Sequence, residues 1–267
     1  MCNEKKRRLI SDLDGSFIRW SLFLFLIEKL LELFPDLLPK ETLARIRSEH
    51  LSWVERAHPR GYQNYLDAWV KDVDNGLLKG VSVAEVTHLA SRLIKKHKNK
   101  LYVFSRELLL ALVEASYDTT AISLSPDFLV CEAARIWGFD HGIGTTYEVA
   151  NGVFTGVRTL PDKRRIVTEM LDDPRFERHG SVAIGDTGGD LSMILLATHG
   201  IAFNPNRDLE QEARRHRIPV VWERKDVIAV FRPDERGRLH EADLYDILPP
   251  DVACILERRL KRWREKR

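Results

Sequence analysis

Short apolar runs that end in polar clusters recur along the chain, and they set the first expectation about the fold. Residues 9–11, 119–122 and 182–184 have the length and side chains of strands, and each run leads directly into Asp, Ser or Gly residues. Further strand candidates follow at residues 200–203 and 219–222. Strands this short, alternating with helical patterns, predict a parallel β-sheet that is covered on both faces.

Apolar residues at helical spacing lie between these strands, at residues 105–115, 128–137 and 163–171. The pair Asn151 and Gly152, between two strand-like runs, is typical of a tight β-hairpin turn. In parallel sheets ligands bind beyond the carboxyl ends of the strands, which is where the polar clusters of this chain lie.

About a hundred residues separate the first predicted strand from the second, which is too many for one crossover helix. This stretch is rich in Leu, Arg, Glu and Lys, with breaks at Pro39 and at Asn75 and Gly76. We therefore predict an inserted all-helical cap at residues 19–94. The surrounding core is predicted at residues 1–18 and 95–232.

The chain becomes strongly charged after Phe231. Its last eleven residues contain seven basic and two acidic side chains, which is typical of a solvated helix end. We therefore predict that residues 233–267 form a charged C-terminal extension.

The overall composition excludes several classes of protein. A length of 267 residues allows one large α/β domain or a domain with an insert, and a net charge of +2 does not call for a nucleic-acid partner. The three cysteines form no CxxC pair and the apolar stretches are too short to cross a bilayer, so a cytoplasmic protein without membrane contact is expected. A surface contact of residues 22–34 with lipid is the disfavoured alternative, since such apolar residues usually pack inside a cap.

Two acidic strand ends carry the candidate chemistry. Asp12 and Asp14 follow the first strand, so one carboxylate can attack phosphorus while the other donates and accepts a proton. Asp186 and Asp190 follow a later strand in a glycine-rich turn. Carboxylates near a phosphate need a hard divalent cation, and oxygen ligands favour Mg²⁺. Either segment alone also fits a surface turn, but two in one chain argue against that interpretation.

Two further residues depend on where the fold places them. Ser123 closes a predicted strand and on its own is more often a strand-end cap than a phosphate ligand. Lys163 opens a predicted helix, where lysine is usually solvated. Near the acidic cluster, both side chains would bind a phosphate group.

Basic side chains in the predicted cap are candidate contacts for an anionic substrate, although a solvated helix face is the more common explanation. They are Arg45, Arg47, His50, Arg56, His58 and Arg60.

Taken in order, the polar segments resemble the motifs of the haloacid dehalogenase superfamily. The motifs are Asp-Leu-Asp-Gly-Ser at residues 12–16, Ile-Ser-Leu-Ser-Pro at residues 122–126, Lys163, and Gly-Asp-Thr-Gly-Gly-Asp at residues 185–190. The chain is most similar to the branch that includes phosphoserine phosphatases, in which a helical cap lies between the first and second motifs. The resemblance implies a Rossmann-like, doubly wound parallel sheet.

The resemblance also implies roles for the acidic residues. Asp12 would be the nucleophile that forms an aspartyl-phosphate, and Asp14 would be the general acid and then the general base. Asp12, the backbone carbonyl of Asp14, and Asp186 would hold Mg²⁺. Asp190 would support the metal ligands or the neighbouring lysine.

The remaining motif residues, Ser123, Leu124 and Lys163, would bind the transferring phosphoryl group of a small phosphorylated substrate. Phosphoserine itself is disfavoured, because residues 18–21 replace the acidic residue that holds the substrate amine in phosphoserine phosphatases. A phosphotransferase or mutase with the same intermediate is an open alternative. A non-catalytic binding module is another, although the intact catalytic residues argue against it.

Overall fold

A computed structural model describes residues 5–34, 37–72 and 78–266, and the side chains of residues 66 and 69–72 are outside that description. Over these residues the chain forms a nine-stranded sheet with helices on both faces. The strands are β1 (Lys6–Ser11), β2 (Asp118–Pro126), β3 (His141–Ala150), β4 (Val153–Thr159), β5 (Phe176–Gly185), β6 (His199–Phe203), β7 (Val220–Arg224), β8 (Val227–Pro233) and β9 (Leu239–Glu241).

The helices include the predicted ones and several whose boundaries were not predicted. They are α1 (Leu22–Leu33), α2 (Lys40–Val54), α3 (Gly61–Asp72), α4 (Val83–His97), α5 (Val103–Glu114), α6 (Asp127–Trp137), α7 (Lys163–Leu171), α8 (Leu191–Leu196), α9 (Arg207–His216) and α10 (Pro250–Glu265). A short 3₁₀ turn at Gly188–Asp190 precedes α8.

The strand order is β4-β3-β2-β1-β5-β6-β7-β8-β9. The central pairs from β3 to β7 are parallel, whereas β4, β8 and β9 pair antiparallel at the two edges. The predicted doubly wound parallel sheet is therefore confirmed for the centre of the molecule. The edge strands β8 and β9 were not predicted: β8 has an apolar run that is only partly buried, and β9 is three residues long.

The first strand lies at the centre of the sheet, and it is buried on both faces. Leu9 packs into one apolar cluster and Ile10 into another on the opposite face, and both are almost completely buried. Ser11 is level with Ala121 of β2 and with Ile184 of β5. The residues that follow these three strands therefore leave the sheet at the same level.

The segment between β1 and β2 is helical, as predicted. Helices α1 and α4 pack against each other, with Leu26 and Ile94 in the apolar cluster that also contains Leu9 of the sheet. Helix α2 begins directly after Pro39, while the predicted break at Asn75 and Gly76 lies outside the described residues. The separation of residues 19–94 as a cap remains a proposal.

The predicted hairpin is also present. β3 and β4 pair antiparallel around Asn151 and Gly152. Both residues have positive φ, at 51° and 79°, as a turn that matches the twist of the strands requires.

The charged end of the chain is helical and, apart from Leu260, residues 257–266 are exposed or half-buried, as expected for a solvated helix end, whereas the earlier part of the same helix is packed. Helix α10 lies against α5 and buries one apolar side, made of Val252, Ala253, Leu256 and Leu260. Arg259 of α10 also donates to Glu107 of α5 at 2.9 Å. The apolar residues of α10 recur at helical spacing among charged residues. Because the segment is so highly charged, its buried face was not predicted.

None of the helices in residues 5–34, 37–72 and 78–266 combines the length and the apolar character that crossing a membrane requires.

The packing of α10 predicts a specific loss of stability. Leu256→Ala should lower the free energy of unfolding by about 2–5 kcal/mol, because it leaves a cavity in a fully buried position. Lys261→Ala, on the exposed side of the same helix, is the matched control and should change the urea concentration at the midpoint of unfolding little. Urea unfolding of both variants tests this. Equal midpoints for the two variants would show that α10 does not stabilise the core.

Candidate active site

The strand order brings the predicted motif residues together at one edge of the sheet. Asp12 follows β1, Ser123 lies near the end of β2, and Asp186 follows β5, so the three come from adjacent strands. Lys163 is the first residue of α7. Asp190 ends the 3₁₀ turn that precedes α8. All of these side chains line one cleft.

Lys163 joins two of the carboxylates. Its Nζ lies 2.7 Å from Oδ1 of Asp12 and 2.6 Å from Oδ1 of Asp190. Only 9% of Lys163, 5% of Asp12 and 1% of Asp190 is exposed, so these ion pairs are shielded from water. The fold therefore places Lys163 at the acidic cluster, and the interpretation of a solvated lysine is wrong.

Asp190 is fixed by its own turn as well as by Lys163. Its Oδ2 accepts hydrogen bonds from the backbone N–H of Asp186 at 3.1 Å, and from the N–H and the hydroxyl of Thr187 at 3.0 Å each. Both oxygens of Asp190 are therefore engaged. This residue holds Lys163 and the turn in place, and its oxygens are less available to a metal than those of Asp12 or Asp186.

Two glycines are required by the close approach of the acidic side chains. A Cβ on Gly15 would lie 2.2 Å from Oδ2 of Asp186, and Gly15 also has a positive φ of 86°. A Cβ on Gly185 would lie 2.4 Å from the Cβ of Asp190. Any larger residue at either position would push a carboxylate out of the cluster.

Asp14 lies at the cleft in different surroundings. Its Oδ2 accepts the hydroxyls of Ser123 and Ser125, each at 2.7 Å, and its Oδ1 accepts the backbone N–H of Leu22 at the start of α1. Ser123 is thus bound to Asp14 in this structure. Ser125 was part of the predicted motif but had no predicted role.

Burial and repulsion together disfavour the ionised form of these acids. Burial raises the pKa of Asp12 to about 7, although the charge of Lys163 opposes that shift. Burial, and then the charge of Asp12, raise the pKa of Asp186 well above its usual range. Burial raises the pKa of Asp14, and its hydrogen bonds from Ser125, Leu22 and Ser123 offset part of this effect.

For Lys163, neighbouring charges outweigh burial in setting the pKa. Burial alone lowers its pKa, but the charges of Asp12 and Asp190 raise it overall, so the ammonium form is retained. When every group is ionised, four carboxylates surround one ammonium at this strand edge. Such a cluster lacks positive charge.

The residues present fit a divalent cation. Carboxylate oxygens of Asp12, Asp186 and Asp190 lie within 4.8 Å of one another. Asp186 is oriented by the hydroxyl of Ser16, which donates to its Oδ1 at 3.0 Å, and this role of Ser16 was not predicted. Oxygen donors and excess negative charge are the features that bind hard cations.

The cleft above the cluster has a volume of about 760 Å³. The helical segment between β1 and β2 contributes Arg60, Tyr62 and Gln63 at the start of α3. Arg60 is exposed and its guanidinium lies 3.1 Å from Asp208 across the cleft. Of the basic cap residues singled out from the sequence, Arg60 lines this cleft, whereas Arg56 at the end of α2 does not.

Leu124 also lines the cleft, with 47% of the residue exposed. Its carbonyl accepts the hydroxyl of Thr145 at 2.6 Å, which fixes the end of β2 between the two serines. A role for Leu124 in phosphate binding remains a prediction.

Comparison with known proteins agrees with this arrangement. A family model for haloacid dehalogenase-like hydrolases matches residues 9–195. Phosphoserine phosphatase SerB1 of Mycobacterium tuberculosis strain H37Rv is 26% identical over 155 residues, which are 56% of this chain and 49% of that protein. The chain therefore spans about half the length of this relative.

Solved structures share the fold at low sequence identity. A protein of unknown function from Bordetella pertussis Tohama I has a TM-score of 0.62 at 19% identity, covering 81% of this chain and 98% of that chain. A substrate-bound phosphoserine phosphatase has a TM-score of 0.55 at 20% identity, covering 79% of this chain and 91% of that chain. The family model covers more than half of the chain, and the chain therefore belongs to the haloacid dehalogenase-like hydrolases, as its motifs predict.

Proposed function

We propose that the chain is a magnesium-dependent phosphatase that hydrolyses a phosphomonoester through an aspartyl-phosphate on Asp12. The observation that carries this proposal is the buried group of Asp12, Lys163 and Asp186 at the base of a cleft. This group has too little positive charge of its own, and a phosphate ester with its cation would complete it. Phosphoryl transfer depends mainly on such positioning and charge neutralisation.

In the first step Asp12 attacks phosphorus. Lys163 holds Oδ1 of Asp12 at 2.7 Å, and among the hydrogen bonds of the described residues none involves Oδ2, which is the proposed attacking atom. The new bond joins Oδ2 to phosphorus while the bond from phosphorus to the leaving oxygen breaks. Asp14 gives its proton to that oxygen, so the leaving group departs as an alcohol.

In the second step Asp14, now ionised, takes a proton from water as the water attacks phosphorus. The bond between phosphorus and Asp12 breaks, inorganic phosphate is released, and both carboxyl groups return to their starting forms. Lys163 stays beside Asp12 in both steps and compensates negative charge on the transferring group. Asp190 keeps Lys163 in place.

Asp12, Asp186 and the backbone carbonyl of Asp14 are the proposed ligands of Mg²⁺. When bound, the ion supplies positive charge that lets the phosphate approach the carboxylates and stabilises charge developing on its oxygens. Asp186 is prepared for this role by Ser16, and by Gly15, whose lack of a side chain makes room for the carboxylate.

The substrate is proposed only as a small phosphomonoester. The likeness to phosphoserine phosphatases supports the reaction type, but the residues after the first motif differ. Arg19 contacts Glu223, which is buried and also accepts the backbone N–H groups of Val103 and Phe104. This segment therefore places no carboxylate in the cleft that would hold the amine of phosphoserine.

Metal dependence gives the first test of the reaction. The protein should hydrolyse 4-nitrophenyl phosphate with Mg²⁺ and lose this activity in excess chelator, with recovery when Mg²⁺ is returned. Ca²⁺ should replace Mg²⁺ poorly, because its larger and more flexible coordination shell draws both oxygens of Asp12 to the metal. Release of nitrophenol is the measurement. Full activity in chelator would refute the magnesium assignment.

The covalent step predicts different results for the two aspartates of the first motif. Asp12→Asn should abolish turnover, because a neutral amide does not attack phosphorus, and no phosphorylated protein should be trapped by acid quench. Asp14→Asn should keep the nucleophile but slow turnover by roughly 10²–10⁴-fold, since it removes the proton donor. Mass spectrometry of the quenched protein and steady-state rates test this. Near-normal turnover of Asp12→Asn would exclude the covalent mechanism, provided that thermal unfolding shows a folded variant.

The position of Arg60 predicts a division between selectivity and rate. Arg60→Ala should change the ranking of phosphate esters by kcat/KM, because Arg60 lines the cleft and is paired with Asp208 instead of the acidic cluster. Arg56→Ala is the matched control, and it should leave the ranking unchanged. Lys163→Ala should lower kcat/KM for every ester, since its partner is the phosphoryl group that all esters share. The same change in ranking for Arg56→Ala as for Arg60→Ala would contradict a specific role of the cleft arginine.

A further inference from the structure

Asp14 accepts hydrogen bonds at both oxygens of its carboxyl group, and two of them come from neighbouring serines of β2. Oδ2 accepts the hydroxyls of both Ser123 and Ser125 at 2.7 Å, while Oδ1 accepts the N–H of Leu22. Ser123 and Ser125 are 1% and 3% exposed, so water does not readily replace either of them. Two buried hydroxyls therefore act on the same carboxylate oxygen.

The number of lone pairs on Oδ2 limits this arrangement. A carboxylate oxygen accepts about two hydrogen bonds through its lone pairs, and both are used by the two serines. Ser123 has one hydroxyl proton, so it cannot donate to Oδ2 of Asp14 and to a phosphoryl oxygen at the same time. When Ser123 binds the phosphoryl group as proposed above, Ser125 is therefore the hydroxyl that remains on Oδ2 of Asp14.

The two serines differ in what else they contact. The Oγ of Ser123 also accepts the backbone N–H of Ser125 at 3.0 Å, so it stays anchored when its own proton points elsewhere. In the described part of the chain the hydroxyl of Ser125 has Asp14 as its recorded partner. Rotation of the Ser123 proton away from Asp14 is therefore the smaller change.

We propose that Ser125 is a positioning residue that keeps Asp14 aimed at the leaving-group oxygen, while Ser123 moves its hydroxyl proton from Asp14 to the phosphoryl group. This inference rests on the proposed phosphatase function, in which Asp14 is the general acid. Alternate residues of a strand point to the same face, so β2 presents both hydroxyls to Asp14. The Ser123 hydroxyl then donates to the phosphoryl group, and the Ser125 hydroxyl donates to Asp14.

The inference predicts a dependence on the leaving group. An alkyl phosphate needs a proton on its leaving oxygen, whereas 4-nitrophenolate leaves without one. Ser125→Ala should therefore lower kcat/KM for ethyl phosphate by about 10–100-fold and for 4-nitrophenyl phosphate by no more than about 3-fold, as partial loss of general acid catalysis requires. Ser125→Thr keeps the hydroxyl and should restore most of the rate with ethyl phosphate.

A double-mutant cycle with Asp14→Asn separates a role through Asp14 from a general structural defect. In the Asp14→Asn background, Ser125→Ala should cause no further loss that depends on the leaving group. Thr145→Val removes the hydroxyl that holds the carbonyl of Leu124, so it loosens the same strand end without touching Asp14. Any loss it causes should be equal for both esters.

Three outcomes decide the result for variants that remain folded by thermal unfolding. A selective loss with ethyl phosphate that disappears in the Asp14→Asn background supports the role of Ser125. An equal loss for both esters, or a selective loss that persists in that background, overturns it. A wild-type protein that hydrolyses neither ester with Mg²⁺ refutes the phosphatase proposal itself, so the two failures are distinguishable.

Discussion

The ion pairs of Lys163 with Asp12 and Asp190 are the interaction on which the rest of the site depends. They bring opposite charges to 2.7 and 2.6 Å between side chains that are at most 9% exposed. A buried pair of this kind loses much of its Coulomb gain to desolvation, so its value for stability is small. Its value for function is that one ammonium is fixed beside the proposed nucleophile before any substrate arrives. Asp186 adds further negative charge that the protein itself does not balance, which favours a cation together with an anionic substrate.

The fold provides this arrangement through its strand order. Because β1 lies between β2 and β5, residues more than a hundred positions apart in the chain meet at one edge of the sheet. The glycines then set how closely the acids approach, since a side chain on Gly15 or Gly185 would occupy the space of a carboxylate. The cluster is therefore a consequence of rigid strand ends and of missing side chains.

The central sheet and the acidic cluster were predictable from the sequence because their signals are local. Each signal lies within a few residues of the sequence. The first motif is the two-residue spacing of its aspartates, the fourth is marked by its glycines, and the hairpin by the turn at Asn151. The family assignment followed from the order of the motifs and is confirmed by the match over residues 9–195. In contrast, the buried side of α10 was missed because charged residues surround Leu256 and Leu260, and its burial depends on α5, far away in the chain.

The features that were not predicted are contacts between residues on different strands or helices, which no local sequence pattern contains. The sequence placed Ser125 in a motif, but its bond to Asp14 becomes visible only when β2 lies beside β1. It likewise treated Arg56 and Arg60 as equivalent, although the turn between α2 and α3 brings one of them to the cleft. The groups proposed for the chemistry lie on strand ends with strict local spacing, whereas the side chains facing a leaving group come from helices whose placement is tertiary. Motifs in such a sequence therefore identify the reaction more readily than they identify the substrate.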